Sequence, residues 1–106
     1  MKPPEIILRY LNAANEGRID DATACFSPTA VVEDEGHTFT GSDSIRKWID
    51  ETTRKYQPQG DVLAVENIDD VVVASVRVSG NFPGSPIELE YQFTLTSEII
   101  SHLSIQ

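Results

Sequence analysis

In its 106 residues this sequence has one cysteine, one tryptophan, one methionine and two histidines. A lone thiol leaves no partner for an internal disulfide, which fits a reducing compartment. Cys25 lies in a short helical pattern with no obvious base nearby, so it reads as a small core residue and not a nucleophile. Basic residues are also scarce: eight Lys and Arg stand against seventeen Asp and Glu, a formal charge of −9. So acidic a surface repels nucleic acid and anionic membranes, and neither is an expected partner. No run approaches the ~20 apolar residues that span a bilayer. The start, Met1-Lys2-Pro3-Pro4, lacks the apolar stretch of a signal peptide, so the expected location is cytoplasmic. Glycine-rich phosphate loops, nucleophile elbows and paired-cysteine clusters are missing. His37 and His102, in their contexts, do not build a serine triad. Repeats, linkers and low-complexity tracts are missing too.

What remains is enough for one domain, residues 1–106, with a single core. A 40% hydrophobic and 24% charged composition is that of an ordinary folded chain. Pro3 and Pro4 suit a first helical turn. Ile6, Ile7, Tyr10, Leu11, Ala13 and Ala14 then fill one arc, opposite Glu5, Arg9, Asn12 and Glu16, up to a stop at Gly17. Tyr10 is near the middle of the arc, so its ring should be buried and its hydroxyl should need a partner inside. A shorter helix is expected from about Asp20 to Phe26, ended by Ser27-Pro28. After Gly41, Ser42 or Asp43 can cap a third helix running to about Tyr56. Its apolar stripe is Ile45, Trp48, Ile49, Thr52 and Tyr56, and Asp50–Arg54 and Glu51–Lys55 are favourable pairs on its wet side.

From Asp61 the period becomes alternating. Strands are expected over 61–68 and 71–79, joined at Asp69-Asp70, then over 87–95 and 99–105. Helices first and hairpin-spaced strands after predict an α+β domain, with helices covering one face of a strongly bent, mostly antiparallel sheet.

The chemistry concentrates in Ala30-Val31-Val32-Glu33-Asp34-Glu35-Gly36-His37-Thr38-Phe39-Thr40-Gly41. Alternation turns Ala30, Val32 and Asp34 one way and Val31, Glu33 and Glu35 the other. The two glutamates belong to the wet face, which puts Asp34 in register with the buried one, a costly place for an unpaired carboxylate. Asp34 can act as a general base, or it can cap the strand end or pair with Arg46 or His37. Glu33, Asp34, Glu35 and His37 do not form a metal site on this reading, because alternation sends neighbours to opposite faces and zinc wants more nitrogen or sulfur. No cofactor is implied.

Tyr10-Leu11-Asn12-Ala13-Ala14-Asn15-Glu16-Gly17, then Phe26-Ser27-Pro28-Thr29-Ala30-Val31-Val32-Glu33-Asp34, then Gly41 before Ile45 and Trp48, resemble a SnoaL-like domain of the nuclear-transport-factor-2-like superfamily, which includes the ketosteroid isomerases. The resemblance covers the first half of the chain, and the later strand order agrees with it. It implies a cone-shaped curved antiparallel sheet wrapped around the long helix, two shorter N-terminal helices, an apolar pocket at one end, and a homodimer packed sheet against sheet. Asp34 falls on the base position of the isomerases and Tyr10 on the tyrosine that stabilises the enolate oxygen. The second oxyanion donor, a protonated aspartic acid in the isomerases, does not carry over: its place falls on Leu89 or Tyr91, depending on loop alignment. With Trp48 as pocket wall and His37 at the rim, these residues imply a site for a small apolar or carbonyl-bearing molecule and cofactor-independent proton transfer, an isomerisation or cyclisation. The rival reading is a non-catalytic ligand-binding or dimerisation module of the same fold. Val71 and Val73, on the outer sheet face, are the expected dimer surface.

Overall fold

The computed structural model describes residues 3–106; Met1 and Lys2 lie outside it. Three helices precede most of the sheet: α1 (Glu5–Asn15), α2 (Ile19–Thr23) and α3 (Ser42–Tyr56). The strands are β1 (Phe26–Asp34), β2 (His37–Thr40), β3 (Gln59–Ile68), β4 (Val71–Ser79), β5 (Ile87–Thr96) and β6 (Ile99–Ile105). They form one sheet in the order β2-β1-β6-β5-β4-β3. The domain is therefore α+β, a bent sheet closed over by helices. Among the described residues no helix is long and apolar enough to cross a membrane.

Each pairing follows from chain connectivity. Consecutive strands joined by short turns are antiparallel, as at Glu35-Gly36, Asp69-Asp70 and Ser97-Glu98. The pair β1–β6 is parallel, and one helix and four strands intervene before the chain returns beside β1. Irregular register at Phe26/Val31, Val62/Ala64 and Thr94/Leu95 breaks three of the ladders. Such breaks sharpen local bending and twist, which is what a concave sheet requires.

The inner face reads across the strands as rows. Val32, Leu103, Phe93 and Val72 form one row, and Asp34, Ile105, Tyr91 and Ala74 form the next. The first row is buried throughout and joins Ile7, Leu11, Ile45 and Ile49 of the helices in the core. Burying each such aliphatic side chain is worth about 1.5–3 kcal/mol, which is why the helical stripes settle against this face.

Several local expectations are corrected. The second helix stops at Thr23, not Phe26, and Phe26 already belongs to β1, where it packs edge-on against Tyr10 at 5.2 Å. Gly41, at φ 88°, is the N-cap of α3, and no side chain caps it. Asp50–Arg54 forms at 2.9 Å, but Glu51 faces Lys47 at 4.0 Å, while Lys55 lies over the Tyr56 ring. Arg46 is held by Asp20 of α2 at 2.8 Å, so it is not a partner of Asp34.

The end of α1 is clasped to β3 by one side chain. Asn15 donates Nδ2–H to the Gly60 carbonyl at 3.0 Å and accepts the Gly60 amide at 2.8 Å. A Cβ at Gly60 would lie 3.2 Å from Val76 Cγ1, so glycine suits the packing of β3 on β4 at this point. Asn15→Ala should leave both part-buried backbone groups without these partners and cost about 1–3 kcal/mol, a Tm drop on the order of 5–15 °C in a thermal melt.

Candidate functional site

Between α1, α3 and the open end of the sheet lies a cavity of about 490 Å³. That is within the range of small-molecule sites, about 300–1,000 Å³. Its walls are mostly apolar, with Leu11, Ile49, Leu89 and Ile105 among them. The polar residues of its lining are Tyr10, Tyr56, Tyr91, Asn15, Thr52, Thr53, Asp34 and Glu35.

Asp34 ends β1 on the inner face, as alternation predicts. Its carboxylate is half-buried, and Oδ2 accepts a hydrogen bond from Trp48 Nε1–H at 3.1 Å. Trp48 is buried on α3 with its ring tilted against Phe39 at 6.0 Å, which fixes the direction of the indole N–H. Burial pushes the Asp34 carboxyl above the ordinary carboxylate value. The Trp48 hydrogen bond pulls the other way by favouring the charged form, Glu35 adds to the rise, and His37 offsets part of it.

Tyr91 shares the inner row of Asp34, two strands away, with Ile105 between them. Two interstrand spacings place these residues about 10 Å apart across the cavity floor. Tyr10 reaches over the same floor from α1, and both phenols rest on Phe93, at 6.1 Å for Tyr10 and 5.9 Å for Tyr91. Tyr10 was expected to find an internal partner. Instead, no described residue hydrogen-bonds its hydroxyl, although the side chain is only 4% exposed and lines the cavity. Burial first, then the neighbouring Tyr91 and Asp34, hold the Tyr10 phenol well above its usual value. Burial, with Asp34, does the same to Tyr91. Both shifts favour the neutral, hydrogen-bond-donating phenol.

Of the residues singled out from the sequence, Asp34, Tyr10, Trp48, Leu89 and Tyr91 come together in the lining. His37 does not. It faces Asp34 across the β1–β2 ladder, but β2 is the edge strand and the His37 side chain is exposed, outside the cavity. His102 is on the outer face, paired with Glu33 at 2.8 Å. Among the described residues no three His, Cys, Asp or Glu side chains gather as a metal site.

Two features escaped the sequence reading. Glu35 was assigned to the wet face by alternation, yet it occupies the β1–β2 turn at φ 52°, where alternation ends, and it lines the cavity. Tyr56, Pro58, Phe82 and Pro83 build the mouth from segments read only as helix end and loops. The Trp48–Asp34 bond had a signal, since a buried indole N–H needs an acceptor and Asp34 is the inward-facing acid of β1.

Comparison with known proteins follows this geometry. The family model described as SnoaL-like domain matches residues 7–98. A candidate polyketide cyclase from Sinorhizobium meliloti superposes with a TM-score of 0.95 at 34% identity, covering 98% of this chain and 95% of that one. An epoxide hydrolase/cyclase-like enzyme of pyran-ring formation in the polyether salinomycin gives 0.84 at 20% identity, over 95% and 86%. A cystatin-fold protein from Novosphingobium aromaticivorans gives 0.81 at 14% identity, over 100% and 98%, and shares the fold alone. No curated protein sequence matches the chain.

Asp34 carries two testable signs. Trp48→Phe removes a donor to the charged form, so the Asp34 carboxyl should titrate at still higher pH, read from its side-chain carbon resonance by NMR. A carboxyl raised on folding weakens the fold as pH climbs from its unfolded value through its folded one, and the cost is fully present above the latter. Asp34→Asn should therefore raise Tm at pH 7, and the gain should vanish at pH below the ordinary carboxylate range.

Proposed function

The chain belongs to the SnoaL-like family, and from that premise we propose that its cavity binds a small, apolar, carbonyl-bearing molecule and moves a proton on it. The observation that carries the reading is a half-buried carboxylate sharing one apolar cavity with two neutral phenols.

In this reading the substrate carbonyl lies between the Tyr10 and Tyr91 hydroxyls. The carboxylate of Asp34 takes a proton from the adjacent carbon, and the electron pair moves onto the carbonyl oxygen. Both phenols donate to that oxygen as its charge grows, in a cavity where few other groups screen the interaction. Isomerisation follows if the protonated Asp34 returns the proton to a different carbon. Cyclisation follows if the enolate carbon instead attacks a second carbonyl carbon of the same molecule, whose π pair moves to its oxygen and takes the proton held by Asp34. Trp48 keeps the base oriented and limits the rise of its pKa, so that it is ionised when substrate arrives. The raised carboxyl sharpens proton abstraction, since a base nearer the working pH accepts a proton with a better driving force.

A sheet-to-sheet homodimer belongs to the same proposal. The outer face offers Val31, Val71 and Val73, each half-buried in the single chain, beside Ile68, which is 50% exposed.

Exchange of the α-protons of β-tetralone in deuterated water, followed by NMR, tests the chemistry without knowledge of the natural substrate. The protein should accelerate exchange, with a rate that rises as Asp34 ionises and an acid limb above the ordinary carboxylate range. Asp34→Asn should lower the rate by about 10²–10⁴-fold, and Tyr10→Phe by about 10²–10³-fold. Saturable binding without exchange would leave a ligand-binding module of the same fold in place of an enzyme.

A further inference from the structure

The inward face of β5 passes from core to surface along one line of alternate residues. Phe93 is buried completely, Tyr91 and Leu89 are half-buried, and Ile87 is 38% exposed. The last three line the cavity. Of the large apolar side chains left exposed on the described residues, Leu63, Ile68 and Ile87, only Ile87 belongs to that lining. Four residues of extended strand separate Tyr91 from Ile87, about 13 Å. The floor is therefore a strip, with a phenol at its inner end and hydrocarbon over the rest.

Polar groups are unevenly placed along it. Asp34, Tyr10 and Tyr91 belong to the inner end, whereas everything that β4, β5 and the loop between them add beyond Tyr91 is apolar: Leu89, Ile87, Val78, Phe82 and Pro83. Thr52 of α3 also lines the cavity, but its hydroxyl donates to the Trp48 or Ile49 carbonyl, at 2.9 and 3.1 Å. Among the described residues no lysine, arginine or histidine lines the cavity. A carboxylate or phosphate carried along the strip would lose water and gain no counter-charge, which is costly.

The outer end of the strip is bounded by two rings. Phe82 meets Tyr56 edge-on at 5.9 Å and 89°, and both line the cavity. The loop that carries Phe82 is held on the end of α3. Asn81 donates its backbone N–H to the Tyr56 carbonyl at 2.7 Å, and a Cβ at Gly80 would meet that same oxygen at 2.6 Å. Across the loop, Ser85 Oγ accepts the Gly80 amide at 2.9 Å. Phe82 and Tyr56 thus form a collar of set position.

We propose that the strip from Leu89 to Ile87 is a subsite for the uncharged hydrocarbon body of the ligand, and that Phe82 sets the length over which that body is buried. The ligand is then a ketone with its carbonyl at one end, beside Asp34, Tyr10 and Tyr91, and a neutral chain or ring system reaching outward to the collar. Carbons short of the Phe82–Tyr56 pair are taken out of water, and carbons past it are not. Phe82 is the specificity-determining residue, and the inference rests on the cavity being the ligand site.

Calorimetric titration near pH 7 with acetophenone and its para-ethyl, para-butyl and para-hexyl derivatives tests this. Affinity should rise about three- to fourfold for each methylene buried and level off once the tail passes the collar. An analogue of the butyl compound whose chain ends in a carboxylate should bind about tenfold to a hundredfold more weakly than the butyl compound. Phe82→Ala should weaken the butyl and hexyl compounds by about three- to tenfold, with levelling at a shorter tail, and Phe82→Leu should keep most of the gain. The subsite is overturned if affinity ignores tail length, or if the carboxylate-ended compound matches the butyl one. Equal weakening of all four compounds by Phe82→Ala overturns the role of Phe82 by making it merely structural, and tightening of the long ones does so by making it an obstruction. In each case binding of acetophenone to the wild-type protein keeps the parent reading intact, while failure of all four compounds to bind removes both.

Discussion

A carboxylate drawn to the end of an inward-facing strand row, and answered there by an indole N–H, is the constraint on which the site depends. Asp34 cannot leave the row without moving Val32 and Ala30, because the three share one face of β1 and the other two are buried completely. Desolvation works against its charge, and the 3.1 Å bond from Trp48 recovers part of the loss. Only one oxygen is engaged by that side chain. The arrangement is one of partial satisfaction: enough to hold the group still, too little to quench it. A fully buried ion pair would have fixed the acid more firmly and removed it from chemistry.

The sheet makes that position a cavity and not a core. A flat sheet under two helices would close on itself with side chains. Here three breaks in register bend the strands, and β6 returns parallel to β1 to extend the curve. The core occupies the row of Val32, Leu103, Phe93 and Val72. The next row, carrying Asp34 and Tyr91, runs through Ala74 of β4 and stops short of Val78, which pairs with Gly60 where Asn15 clasps it. The strain of a concave sheet and the vacancy at its wide end thus have one cause. Phe93 joins the two regions, since it is buried in the first row and supports both phenols of the second.

How much of this the sequence discloses depends on the range of the interactions. The arcs of α1 and α3 and the alternation of β1, β4 and β5 are local, and they place Tyr10, Trp48, Asp34, Leu89 and Tyr91 on the correct faces. The parallel β1–β6 pair spans most of the chain and leaves no periodic signature. Helix α2 was overextended because Phe26 continues the helical period, while its burial against Tyr10 is decided by tertiary packing. Lys55 could choose Glu51 or the Tyr56 ring, a balance of tenths of a kcal/mol that spacing does not settle. Glu35 was misplaced because alternation holds only while the backbone stays extended, and two positive φ angles end it one residue earlier than the pattern suggests. His37 failed for the opposite reason. Its register opposite Asp34 is sound, but an edge strand leaves the side chain in water.

Membership of a family and likeness of fold constrain the shape of the cavity far more than what happens in it. The fold itself recurs in a solved structure that shares 14% of its residues with this chain. Chemistry is written in the handful of polar groups that the row and the helices expose. Here those groups are asymmetric: phenols whose neutral form is favoured at one end of the floor, a base of raised pKa at the other, and a second acid, Glu35, on the β1–β2 turn. Uniform polarity would bind many ligands in many orientations. Separate donor, base and rim charge admit few, because each wrong orientation leaves one buried group without a partner. The orientation of a bound molecule therefore follows from the fold's own gradient of burial, deepest at the phenols and shallowest at Glu35, before any single contact is considered.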